Sequence, residues 1–149
     1  MAHLTFDVEI AAPLDRVFVF FIPQRMPYWY GYDMDAHFEV QDDAAEFAVG
    51  QKVRIAGRLA GREASLTAVV TRYEWQRVLE WQFHDAFGVR GLQRWEVARA
   101  GEGARVTMVD AYNLPGRLSR FADMFLMRWS VARRDRRWLE QLRRLAEHR

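Results

Sequence analysis

From Phe38 to Leu114 the chain alternates apolar and polar residues in one short segment after another, and only beyond Pro115 does the spacing lengthen to that of a helix. A period of two sends alternate side chains to opposite faces of a strand, whereas a period near 3.6 gathers them along one helical stripe. The alternating runs are Phe38/Val40, Val53/Ile55/Gly57/Leu59, the β-branched run Leu66–Tyr73, Leu79/Trp81/Phe83, Gln93/Trp95/Val97 and Val106/Met108/Asp110/Tyr112. Turn residues at Asp42–Ala45, Gly61–Glu63 and Gly101–Gly103 separate several of them, so antiparallel neighbours joined by short connections are predicted. One more strand precedes these: Phe6, Val8 and Ile10 alternate with Thr5, Asp7 and Glu9 before Pro13 stops the run.

Two short helices are predicted after that first strand, over Leu14–Phe21 and Gln24–Tyr30, followed by a turn over Gly31–Asp35. After Pro115 and Gly116 comes about 30 residues of helix, roughly 45 Å long. Its apolar stripe begins as Leu118, Phe121, Ala122, Phe125, Trp129 and Ala132, and resumes, rotated, as Trp138, Leu139, Leu142, Leu145 and Ala146. Strands and helices segregated in this way give an α+β fold. A single sheet with a single long helix buries both apolar faces most simply when the sheet curves around the helix. No linker or repeat interrupts the 149 residues, so one domain over 1–149 is expected.

Composition narrows the chemistry. Cysteine is absent, which excludes disulfides, zinc–thiolate sites and thiol nucleophiles together. Ser65, Ser119 and Ser130 sit in no nucleophile elbow, and the glycines match no phosphate loop or dinucleotide fingerprint, so no cofactor is expected. No apolar run is long enough to span a bilayer, and the opening residues lack a secretory pattern; a cytoplasmic protein, monomer or homodimer, is the expectation. Net charge is +2, yet residues 116–149 carry ten arginines against four acids. Arg133, Arg134, Arg137, Arg143 and Arg144 are therefore candidates for weak contact with an anionic surface, or simply the solvated face of a helix.

Few side chains stand out chemically. Asp33, Asp35 and His37 resemble a metal-binding run, but no second histidine lies at ligand spacing, and no metal is expected. His84 and Asp85 fall at a strand end, with His84 on the outer face. Asp110 differs, because the alternation points it inward between Met108 and Tyr112. A buried carboxylate needs a partner or a raised pKa, and Arg128 and Arg136 are the candidates on the long helix. Asp110 and Tyr112 are also the candidates for any catalysis. Around them, Ile55, Trp81, Phe83, Gln93 and Trp95 project from the inner face of the sheet, and Phe121, Phe125 and Trp129 from the inner face of the helix. Tyr28 and Trp29, in the short second helix, add further ring surface. Such rings either fill a core or wall a ligand site, and periodicity alone does not separate the two.

Several fragments carry a resemblance when taken in order: FDVEIAAPLDRVF from Phe6, MPYW from Met26, VGQKV from Val49, LEWQF from Leu79, GEGARVTM from Gly101, and the helix after Pro115. Together they resemble the helix-grip superfamily, also called START-like or Bet v 1-like, and within it the bacterial polyketide cyclase/dehydrase and lipid transport type. The resemblance implies a seven-stranded sheet gripping the terminal helix around an apolar cavity. It implies no single activity. Three readings follow: a binder of an apolar lipid, polyketide or aromatic compound; a cyclase or dehydratase moving protons with Asp110 and Tyr112; or a basic-helix module docking on RNA, ribosome or anionic lipid. The first is the expectation here.

Overall fold

The computed structural model describes residues 2–59, 61–116 and 121–148, with side chains in the last stretch described from 125 onward. Its strands are β1 (Ala2–Ile10), β2 (His37–Val40), β3 (Lys52–Leu59), β4 (Arg62–Glu74), β5 (Val78–Asp85), β6 (Arg90–Ala100) and β7 (Gly103–Asn113), and its helices α1 (Leu14–Phe18) and α2 (Phe121–Glu147). They form one antiparallel seven-stranded sheet in the order β1-β7-β6-β5-β4-β3-β2. Chain neighbours pair from β2 to β7, and β1 closes on β7 with Leu4 opposite Asp110 and Phe6 opposite Met108. A register shift between Val70 and Arg72 marks a bulge in β4, a local source of the bend that curls a sheet. The sequence predicted the antiparallel chain neighbours from β2 to β7, but not the pairing of β1 with β7, and Leu59, read with the inward set of β3, is exposed. The sequence also overestimated the first helix, which stops at Phe18, and the second is a single 3-10 turn over Met26–Tyr28.

Alternation places Leu4, Phe6, Val53, Ile55, Trp81, Phe83, Trp95, Val106 and Met108 on the covered face. From α2, Val131, Trp138, Leu139, Leu142 and Ala146 join the same core. The helix runs along β1: Arg128 donates to the carbonyl of His3, Arg136 stacks on Phe6, and Glu147 accepts from the amide of Ala11. Gly91 in β6 lets the strands approach beside Tyr112, since a Cβ there would stand 2.8 Å from the Tyr112 Cα.

One expectation for α2 fails. Phe125 and Trp129 were predicted to face inward, but they are 64% and 62% exposed, and Leu126 between them is 67% exposed. The buried line of α2 passes through Asp135, Val131 and, half-buried, Met127. Residues two positions from Met127 lie about 200° around the helix, on the opposite side. Tyr28 is likewise turned out, whereas its neighbour Trp29 is buried.

Candidate functional site

Where the middle of α2 crosses β7, a polar cluster is built into the core. Asp110, at 1% exposure, faces Gln93 across the β6–β7 ladder. Gln93 Nε2 donates to Asp110 Oδ2 at 3.4 Å, and Arg134 Nη2 reaches the same oxygen at 3.3 Å. Arg134 also holds Asp135 Oδ1, at 3.2 Å from Nη2 and 3.3 Å from Nε. Gln93 Oε1 accepts from Tyr30 Oη and Trp81 Nε1, both at 2.9 Å. Hydrogen bonds therefore connect the turn after α1, the centre of the sheet and α2. Such buried networks specify one packing only when every member is satisfied.

Two acids beside one guanidinium leave a surplus negative charge unless one carboxyl keeps its proton. Asp135, fully buried, is the one held well above the ordinary carboxylate range. Burial raises it most; Arg134 offsets part of that; the charge of Asp110 and a hydrogen bond between the two carboxyls raise it further. Tyr112 is shifted upward by burial first and by Asp110 next, so its hydroxyl remains a donor. Among the described residues the Tyr112 hydroxyl, shielded from water, has no hydrogen-bond partner, and Asp110 Oδ1 and Asp135 Oδ2 have none beyond each other's carboxyl. Leaving such a group unpaired costs about 1–3 kcal/mol, and few buried groups in folded proteins stay unpaired.

The predicted ligand-contacting rings divide into two sets. Trp29, Trp81 and Trp95 pack on one another and on Tyr30: Trp81–Trp95 centroids are 5.0 Å apart, Trp29–Trp95 5.9 Å and Tyr30–Trp81 5.6 Å. Trp138 of α2 closes this group at 4.6 Å from Tyr30. Ring fills that end of the interior. Leu4, Ile55 and Phe83 keep 6 to 8% exposure, whereas Trp81 and Trp95 keep none. Met108 is buried on β7 next to Asp110. The Phe121 side chain lies outside the described residues.

The arginine predictions need correction. Asp110 is paired by Arg134, while Arg128 and Arg136 go to His3 and Phe6 on β1. Arg134 is consequently part of the core cluster rather than the outer face. Arg137 pairs with Asp33 at 2.6 Å, Arg143 with Glu140 and Glu147, and Arg144 with Glu140, while Arg133 lies over Trp129. Asp33 also accepts from Trp138 Nε1 at 3.0 Å, so this acid anchors α2. Asp85 caps its own turn by accepting from the amides of Phe87 and Val89, and His84 is exposed.

Sequence reasoning missed Tyr30, Arg134 and Asp135. A signal for Asp135 existed: it lies four residues from Val131 and from Leu139, and seven from Leu142, on the buried line of α2. Its setting within RRDRR disguised it as part of a charged surface.

A family model described as polyketide cyclase / dehydrase and lipid transport matches residues 1–147. Among solved structures, protein CV1439 from Chromobacterium violaceum superposes with a TM-score of 0.74 at 14% identity, covering 100% of both chains. A protein from Rhizobium leguminosarum gives 0.75 at 15% identity, over 98% of this chain and 94% of the other. Ara h 8.0201 gives 0.74 at 6% identity, over 97% of each chain. At these identities the likeness is one of fold. No curated protein sequence matches the chain.

Proposed function

We propose, for a chain that belongs to the polyketide cyclase / dehydrase and lipid transport family, that it binds an apolar small molecule between the sheet and the first half of α2. One observation carries this reading. The Tyr112 hydroxyl is buried with no hydrogen-bond partner among the described residues, on the inner face of β7 beside Met108 and the Asp110 cluster. An apolar enclosure with a few convergent polar groups is the usual make-up of a small-molecule site. Leu4, Ile55, Phe83 and Met108 supply the apolar wall in this reading, and Asp110 and Tyr112 the polar end. Trp29, Trp81 and Trp95 form its floor, fixed by ring packing. Desolvation of the ligand drives binding at about 25 cal/mol per Å² of apolar surface buried, before ordering costs.

Native mass spectrometry of the protein purified from its own host tests the reading. A bound mass that disappears on denaturation and partitions into organic solvent is the expected result. A bare protein that also fails to bind any of a panel of apolar compounds would overturn it.

A further inference from the structure

The unpartnered atoms at the centre of the molecule differ in kind. Asp110 Oδ1 is an acceptor. Even with the Asp135 proton directed toward it, a carboxylate oxygen with two lone pairs retains capacity for a second donor. The Tyr112 hydroxyl has a hydrogen to give and no acceptor. Both residues lie on the inner face of β7, two positions apart, so their Cα atoms are separated by roughly 7 Å along the strand.

Resting on the ligand-binding reading above, we infer that the ligand carries a hydroxyl, alcoholic or phenolic, which donates to Asp110 Oδ1 and accepts from Tyr112 Oη. Other head groups satisfy only half of this pair. A carboxylate only accepts, and it would bring a negative charge to a site already holding Asp110 and Asp135. An ammonium only donates, leaving the Tyr112 hydrogen unpaired. A methyl group satisfies neither atom. Charge points the same way: Arg134 balances Asp110, and protonated Asp135 is neutral, so the anchor as a whole selects an uncharged head. Sites that hydrogen-bond a hydroxyl discriminate strongly against analogues lacking it, because the site's own groups are then left buried and unpaired.

A rigid series isolates the head group: 2-naphthol, 2-methylnaphthalene, 2-naphthoate and 2-naphthylmethylammonium, titrated at pH 7 by ligand-observed NMR. The naphthol should bind at least about tenfold more tightly than the methyl compound, with the two charged members weakest. Tyr112→Phe should reduce the preference for naphthol over methylnaphthalene severalfold, with naphthol bound more weakly and the methyl compound more tightly because the buried hydroxyl it left unpaired is gone, a pattern that misfolding would not produce. Equal affinity for naphthol and methylnaphthalene in the wild-type protein would overturn the inference and leave the apolar-binder reading standing. Tightest binding by the naphthoate would do the same. Failure of every member to bind, in a protein that also carries no apolar ligand through purification, would remove the apolar-binder reading, and the inference with it.

Discussion

The two halves of α2 are built on one helix and one pattern of arginines, yet they relate to the sheet in opposite ways. From Trp138 to Ala146 the helix buries Trp138, Leu139, Leu142 and Ala146 against a mass of rings, and Asp33 ties Trp138 and Arg137 down from outside. From Phe125 to Trp129 the large apolar side chains stand in solvent. The junction is Arg134–Asp135, where the buried line continues but its occupant is an acid. Apolar contact thus holds one half in place, and the other half meets the sheet through polar groups that are incompletely paired. The helix is therefore held unequally along its length.

The sharpest way to break this comparison is to remove a ring from the mass against which the fixed half packs. Trp81→Ala deletes a side chain with no exposure that touches Tyr30, Phe47 and Trp95, and it frees the Gln93 oxygen of one donor. A loss of about 3–5 kcal/mol in urea unfolding is expected. A loss under 1 kcal/mol would mean that the rings wall a space instead of filling one.

The junction comes next. Arg134→Leu removes the one guanidinium seen against both buried carboxyls, and breaking a buried pair from one side costs about 3 kcal/mol or somewhat more. Arg134→Lys, which keeps a positive charge beside the two carboxyls, should recover part of that loss. Equal losses in the two variants would show that the acids are not charged partners of Arg134.

Asp135→Asn addresses the same place through pH. The folded chain keeps a proton on Asp135 that the unfolded chain releases above about pH 4. Wild-type stability from this group is therefore greatest in acid and falls as pH rises toward the shifted value, by up to about 1.4 kcal/mol per pH unit. The asparagine variant cannot ionise, and its stability should decline less across that window. An unchanged slope would place the proton elsewhere.

How much of this was legible in the sequence follows from what each pattern encodes. Period-two alternation is dictated by strand geometry, so the inward set on β5, β6 and β7, including Asp110 and Gln93, could be read directly. The resemblance supplied the strand count and the grip on the helix. The helix face was harder. A stripe of Phe125 and Trp129 looks like a core face because hydrophobicity alone is blind to rotation; the true seam passes through Met127 and Val131, which are smaller or more flexible. Asp135 and Arg134 were hidden by the opposite error, since buried charge among four arginines reads as surface. Neither Tyr30 nor the Asp33 anchor has a periodicity, because both sit in turns whose course only the tertiary fold defines.

The smallest expected effect on stability is also the one that most directly separates the two halves. Trp129 is 62% exposed and its ring meets the guanidinium of Arg133, with the guanidinium carbon 5.3 Å from the ring centroid. An exposed cation–π contact of this kind is worth about 0.5–1 kcal/mol, and truncating the ring forfeits little burial. Trp129→Ala should therefore shift the unfolding midpoint far less than Trp81→Ala does, although tryptophan is lost in both. If the outer half of α2 serves ligand capture, the same variant weakens binding of 2-naphthol while its stability barely moves. Unaltered binding together with unaltered stability would confine the ligand to the sheet side of the helix. A large loss of stability would mean that Trp129 packs inward in solution and that the two halves of α2 are held alike.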